Sequence, residues 1–284
     1  MSYNRVLTIQ DISCLGQCSL TVALPILSAC GQETVILPSA VLSTHTGGFS
    51  GFTFRDLTDD IPEIQKHWQK EGIKFDAVYT GYLGSLKQID YVADILDTMG
   101  KDNTEDATDK DEFVKIIDPA MADHGKLYSI FDMEYANAMA GLCAKADIVL
   151  PNITEASFMT GLPYKEKYDE SYVKELLDGL RAKGMKTIVM TGVSYDDETT
   201  GVLIYEGDEI QYYRHEKLSK SSHGTGDIFA SAFVGAHLSG KSLYEAAKIA
   251  ADFVLQAMIN TQGDESHWYG VKFETALKKL IMSL

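Results

Sequence analysis

An α/β fold, with a central, mostly parallel sheet held between two layers of helices, is what this chain of 284 residues predicts. Three observations carry the prediction. Short apolar runs rich in β-branched residues alternate with longer helical patterns along most of the chain. Hydrophobic residues make up 45% of the sequence, enough for a sizeable core. Polar or glycine-bearing tips follow one strand run after another, where a doubly wound sheet binds ligands.

The elements follow in order. Val6–Ile9 reads as a first buried strand, with a polar turn from Gln10 to Gln17. Ser19 to Cys30 reads as a helix closed by Gly31, with Pro25 implying a bend. Thr34–Leu37 is the next strand, Glu63–Glu71 a helix ending before Gly72, Ala77–Tyr79 a strand and Leu86–Met99 a helix. Val114–Ile117 and Asp147–Leu150 read as strands, Tyr172–Lys183 as a helix and Thr187–Met190 as a strand. The rhythm then changes. Gly201–Tyr205 and Ile210–Tyr213 flank Glu206-Gly207-Asp208-Glu209 and read as a hairpin, followed by long helices over Ile228–Leu238 and Leu243–Asn260. No linker or internal repeat divides the chain, so residues 1–284 are expected to form a single domain.

Composition narrows the partners. The net charge of −16 argues against nucleic acid or an anionic membrane surface. It leaves room for a nucleotide, because a few local N–H groups and a metal ion outweigh a distant surface field. No run reaches the length of a membrane span, and no signal-like segment precedes the first strand, so a soluble cytoplasmic protein is expected. Cys14 and Cys18 are four apart, but no second pair or histidine completes a zinc site; all four cysteines read as buried apolar residues. Lys101 to Glu112 is highly charged and reads as a solvated loop rather than a calcium site.

The chemistry concentrates at Ser221-Ser222-His223-Gly224-Thr225-Gly226-Asp227, ahead of an apolar helix. Free N–H groups and the helix dipole suit such a turn to a phosphate. An aspartate there would repel an anion. It makes sense as a base that takes a proton from a hydroxyl while the turn steadies the phosphoryl group under attack. Further polar tips belong to the same predicted edge: Asp11, the His45-Thr46-Gly47 run, Thr80-Gly81-Tyr82, Asp118 and Asp123, Asn152 and Glu155, and Thr191-Gly192. Each has a plainer reading. Asp118-Pro119 is an ordinary strand-ending turn, Asn152 to Glu155 suits a helix cap, His45 a packed or capping histidine, and Thr191-Gly192 a turn. Joined to the glycine turn, they point to a site.

These motifs resemble the ribokinase-like superfamily in its pyridoxal/pyridoxamine kinase branch, and the likeness runs through essentially the whole chain. Gly224-Thr225-Gly226-Asp227 is similar to its anion-hole motif; Arg5–Gln10, Thr44–Gly47, Tyr79–Tyr82, Asp118–Asp123 and Pro151–Glu155 continue the match. The resemblance implies a ribokinase-like three-layer sandwich and ATP-dependent phosphorylation of the 5′-hydroxymethyl group of a vitamin B6 vitamer. Asp227 would be the base, with Gly224, Thr225 and Gly226 holding the phosphoryl group. Asp118, Asp123 and Glu155 would handle Mg2+, and Asn152, Glu155, Thr191 and Gly192 would serve the nucleotide, with Leu218 near adenine. Asp11, Thr46 and Tyr82 would line the ring pocket, with His45 and His223 beside it, under the segment around residues 42–56. The family is usually dimeric and often uses a monovalent cation such as K+.

Three positions depart from the pattern. Asp11 stands where serine is common, which favours a protonated ring nitrogen or a ring hydroxyl. Leu150 replaces a hydroxyl residue. Gly48 stands where an aromatic is frequent, leaving the pocket mouth open or filled from elsewhere. Hydroxymethylpyrimidine kinase, of the same superfamily, is the alternative, since its substrate also carries a hydroxymethyl arm on a heteroaromatic ring. A non-catalytic nucleotide sensor has no need of Asp227. A dinucleotide-dependent oxidoreductase lacks its glycine fingerprint, because Gly16 stands alone after the first strand.

Overall fold

A computed structural model describes residues 3–101, 113–218 and 223–284. Residues 102–112 of the charged segment, and Ser221 and Ser222, lie outside the described residues.

The strands are β1 (Arg5–Ser13), β2 (Glu33–Leu42), β3 (Phe54–Asp56), β4 (Ala77–Thr80) and β5 (Val114–Ile117). A small antiparallel ribbon of β6 (Ala122–Asp123) and β7 (Lys126–Leu127) follows. Then come β8 (Ile148–Val149), β9 (Thr187–Val193), β10 (Thr199–Glu206) and β11 (Glu209–Glu216). All but the ribbon join one sheet in the order β11-β10-β9-β8-β5-β4-β1-β2-β3. The ladders from β2 through β9 are parallel; β3, β10 and β11 add antiparallel margins.

Successive strand residues feed opposite layers, as the two-residue period requires. Leu7, Val78, Ile117, Val149 and Ile188 face one core; Val6, Ala77, Ile116, Ile148 and Val189 face the other. Helices α1 (Leu20–Ala29), α7 (Thr225–Leu238), α8 (Leu243–Thr261) and α9 (Leu277–Ser283) cover the second core. Helices α2 (Ile61–Lys70), α3 (Leu86–Thr98), α4 (Met133–Cys143), α5 (Ile153–Thr160) and α6 (Glu170–Ala182) cover the first. This is the expected ribokinase-like three-layer α/β/α sandwich.

Several local readings change. The expected turn at Gln10 is strand: β1 runs on to Ser13, because β2 pairs with it through Gln10, Ile12 and Ser13, beyond the Val6–Ile9 stretch paired with β4. The ladder slips there, with Gln10 opposite Pro38 and Ile12 opposite Val41. Asp11 therefore stands at an irregularity next to a residue with no N–H to donate. Helix α4, unread in the sequence, is capped by Asp132, whose Oδ1 accepts from the Tyr135 N–H at 3.0 Å. Its alanine-rich face gave little periodic contrast. Cys30 and Cys143 are buried as expected, but Cys14 is exposed and Cys18 only partly buried. Both sit in the β1–α1 loop, where no apolar layer closes over them. No described helix is long and apolar enough to cross a membrane.

Candidate active site

The glycine turn is built by close packing. Gly224 caps α7 with φ 78°, and a Cβ there would overlap the Gln17 carbonyl oxygen. Only glycine fits, on both conformational and steric grounds. Gly226 is the opposite case: a Cβ there would meet nothing within 4 Å. Residues Ile228 to Ala236 are buried without a break, so the helix behind the turn is fixed. Asp227 is partly buried in the first turn, and its Oδ2 accepts from the Ser19 N–H at 2.9 Å. Burial, and then the charge of Asp11, push its pKa up to about 6 despite that bond.

Asp11 lies across from it, only 5% exposed. Burial raises its pKa, while the hydroxyls of Ser19 and Ser13 work against the rise; Ser13 Oγ donates to Asp11 Oδ2 at 2.9 Å. Tyr82 closes this side, its pKa raised to about 12 by burial and by Asp11 and Asp56. His45 is buried with both ring nitrogens occupied. Nδ1 accepts from the Gly47 N–H at 3.0 Å, so Nε2 carries the proton and donates to the Tyr269 carbonyl at 2.8 Å. Burial holds the ring below its usual pKa. The packed-histidine reading thus describes its local bonding, and only the ring surface is left for a ligand. The exposed His223 ring lies 5.5 Å from His45, and Thr46 is exposed on the same loop. The pocket mouth at Gly48 is filled from elsewhere. A Cβ at 48 would strike Trp268, which also packs on Phe49 with ring centroids 4.6 Å apart.

Acids form the third side. Asp118, at the end of β5, is 8% exposed, and among the described residues no N–H or O–H donates to its carboxylate. Burial, then the charge of Asp227, raises its pKa well above normal. Glu155 is raised likewise, by burial and then by Asp118. Its oxygens are engaged, however: Oε2 accepts from the Asn152 N–H at 2.8 Å and Oε1 from the Met121 N–H at 3.2 Å. Asn152 Oδ1 in turn accepts from the Glu155 N–H at 2.9 Å, and its Nδ2 donates to the Ala122 carbonyl at 2.9 Å. This is a capping box, so the plainer reading of Asn152 to Glu155 holds for the local geometry. Asp123 is exposed and accepts from the His124 N–H. Among the described residues no three His, Cys, Asp or Glu side chains converge to hold a metal. Of the expected set of Asp118, Asp123 and Glu155, Asp118 is the one that is buried with no donor among the described residues, which suits a cation.

Beyond the acids opens a groove of about 700 Å³, bordered by Asp123, Asn152, Thr191, Gly192 and Lys217. Asn152 and Thr191 form a parallel bridge across β8 and β9. Gly192 has φ 68° and open space at its Cβ position. Leu218 is partly buried next to Lys217 on the rim. The residues that sequence reading missed are braces: Ser13, Gln17, Ser19, Trp268 and Tyr269. Ser13 stands two residues from Asp11, but no local pattern could have marked any of the five as a brace.

An aspartate beside a glycine-rich helix start, at the carboxyl edge of this sandwich, fits a ribokinase-like small-molecule kinase. Its relatives narrow the class. The chain belongs to the phosphomethylpyrimidine kinase family, whose pattern matches residues 27–270. A Bacteroides thetaiotaomicron protein assigned to the phosphomethylpyrimidine kinases, in a crystal form with pyridoxal, is 36% identical, with a TM-score of 0.89 over 98% of this chain and 96% of that one. Pyridoxal kinase from Lactobacillus plantarum is 29% identical, with a TM-score of 0.88 over 99% and 98% of the two chains. Hydroxymethylpyrimidine/phosphomethylpyrimidine kinase of Bacillus subtilis is 28% identical over 226 residues, 79% of this chain and 78% of the relative. The chain is thus a phosphotransferase with an alcohol group as acceptor, from the family that includes both vitamin kinases.

Proposed function

We propose that the chain, as one kinase domain, transfers the γ-phosphoryl group of ATP to the 5′-hydroxymethyl group of a B6 vitamer. The observation that carries the reading is Asp227. It is an acid with a pKa near 6, fixed by a backbone N–H, beside a helix start whose Gly226 leaves open space. Such an acid is ionised at neutral pH yet basic enough to accept the hydroxyl proton. As it does so, the substrate oxygen forms its bond to the γ-phosphorus, the bond to the ADP oxygen breaks, and the proton stays on Asp227. The N–H groups of the turn meet the charge on the moving phosphoryl group. The nucleotide would lie along the groove of Asn152, Thr191 and Gly192, and the ring between Asp11, Tyr82 and the His45 loop. Bound Mg2+, held by Asp118 with Glu155 behind it, would neutralise phosphate charge.

A second reading has its own support: the matched family pattern and the Bacillus subtilis relative favour hydroxymethylpyrimidine as the acceptor. The Bacteroides protein, more similar in sequence and crystallised with pyridoxal, favours the vitamer. A coupled ADP-release assay with pyridoxal, pyridoxamine, pyridoxine and hydroxymethylpyrimidine decides between them. Turnover led by the vitamers is expected; turnover of the pyrimidine alone would transfer the assignment.

A further inference from the structure

Ser19 departs from the habit of its position. It is the N-cap of α1, where a serine ordinarily accepts a bond from the first turn of its own helix. No such side-chain bond forms. Its backbone lies at φ 53°, ψ −137°, a conformation that strains any residue with a Cβ. Among the described residues, only His124 and Asp208 share a positive φ without being glycine.

The strain has a counterpart in the site. In this conformation the Ser19 N–H points away from the helix and donates to Asp227 Oδ2 at 2.9 Å. The second carboxylate, Asp11, has its hydroxyl donor from Ser13, at 2.9 Å. These two acids repel: the charge of Asp11 acts on Asp227. The Ser19 N–H fixes Asp227 against that repulsion. The same loop is locked to the phosphoryl turn, since the Gln17 carbonyl fills the space against Gly224.

We propose that Ser19 is a positioning residue that orients Asp227 through its strained N–H. The inference rests on the kinase reading, with Asp227 as base.

Two substitutions test the strained N–H. Ser19→Gly keeps the conformation, since glycine adopts a positive φ without steric cost, and so keeps the N–H on Asp227. Ser19→Val makes that conformation costlier, because a β-branched residue tolerates it least, so the peptide leaves the orientation that serves Asp227. Both are assayed with the preferred ring substrate, with thermal melts, beside Asp227→Asn. In Ser19→Gly, kcat should stay within about twofold of native, and the variant should melt no lower. In Ser19→Val, losing a hydrogen bond to a charged group should lower kcat about tenfold and move the acid limb of kcat/KM to higher pH, with KM for ATP within about twofold of native. A merely structural serine leaves the acid limb in place in both variants. That result, or a native kcat in Ser19→Val, would overturn the inference. Full turnover by Asp227→Asn would instead sink the assignment of the base, whatever the Ser19 variants do.

Discussion

Gly226→Ala separates what the fold needs from what a ligand needs. The residue lies in the first turn of α7 with helical backbone, and an added methyl group would meet nothing within 4 Å. Replacing glycine by alanine in a helix stabilises by up to about 1 kcal/mol, worth about 2–4 °C in Tm for a domain of this size. If the transferring phosphoryl group packs against this turn, the methyl group takes its place. A displacement of about 1 Å from reacting geometry costs roughly 100-fold in rate, or about 2.7 kcal/mol of transition-state stabilisation. The expected variant is therefore slightly more stable and about 100-fold less active in the coupled kinase assay. Gly224→Ala is the contrasting case. Its left-handed backbone costs alanine about 1–2 kcal/mol, and the overlap with the Gln17 carbonyl forces a backbone shift of about 1–3 kcal/mol more. That variant should lose stability and activity together. Native kcat/KM in Gly226→Ala would refute the reasoning, because the open space beside the turn would then not be where the phosphoryl group sits.

Other outcomes follow from the same geometry. Asp227→Asn should lower kcat by about 10²–10⁴-fold while ATP affinity by calorimetry changes little; a drop confined to ATP affinity would reassign the residue to binding. Because the base must be ionised and its pKa is near 6, kcat/KM should fall about tenfold per pH unit below that value and level off above it; a flat profile down to pH 5 would contradict it. Asp11, Asp118, Glu155 and Asp227 all have pKa values raised by folding. The folded state then holds their protons more tightly than the unfolded chain, so their ionisation destabilises the fold as pH rises. The apo protein should melt higher at pH 6 than at pH 8, and a lower Tm at pH 6 would count against raised values for these acids. Asp118→Asn removes a buried carboxylate to which none of the described residues donates. It should gain about 0.5–2 kcal/mol of stability and lose activity, and a destabilised variant would mean that the carboxylate has a partner in the apo protein.

Much of the fold was legible because its signals are local. Glycine ended the helices at Gly31 and Gly72, where φ is 83° and 68°, and the Gly201–Tyr213 hairpin appears as β10 and β11. The signal failed where periodicity was weak, as in α4, or where a strand owes its length to neighbours, as β1 does at Gln10 and Asp11. At the site, the glycine turn was visible because glycine is demanded by backbone geometry at Gly224. The bonding of His45 and Glu155 was not visible, since a histidine or an acid reads the same whether it faces a ligand or a backbone N–H.

The sequence by itself determined the sandwich, the kinase class and the edge of the sheet where chemistry gathers, because strand period, helix caps and glycine turns are properties of neighbouring residues. Only the tertiary structure decided how the carboxylates differ. Among the described residues it left Asp118 without a donor, occupied Glu155 with two N–H groups, tied Asp227 to the Ser19 N–H, and set Trp268 over Gly48. Burial and hydrogen-bond supply come from residues more than 200 positions away in the chain, as from Ser19 to Asp227 and from Tyr269 to His45, and those terms, rather than residue type, fix what an acid can do.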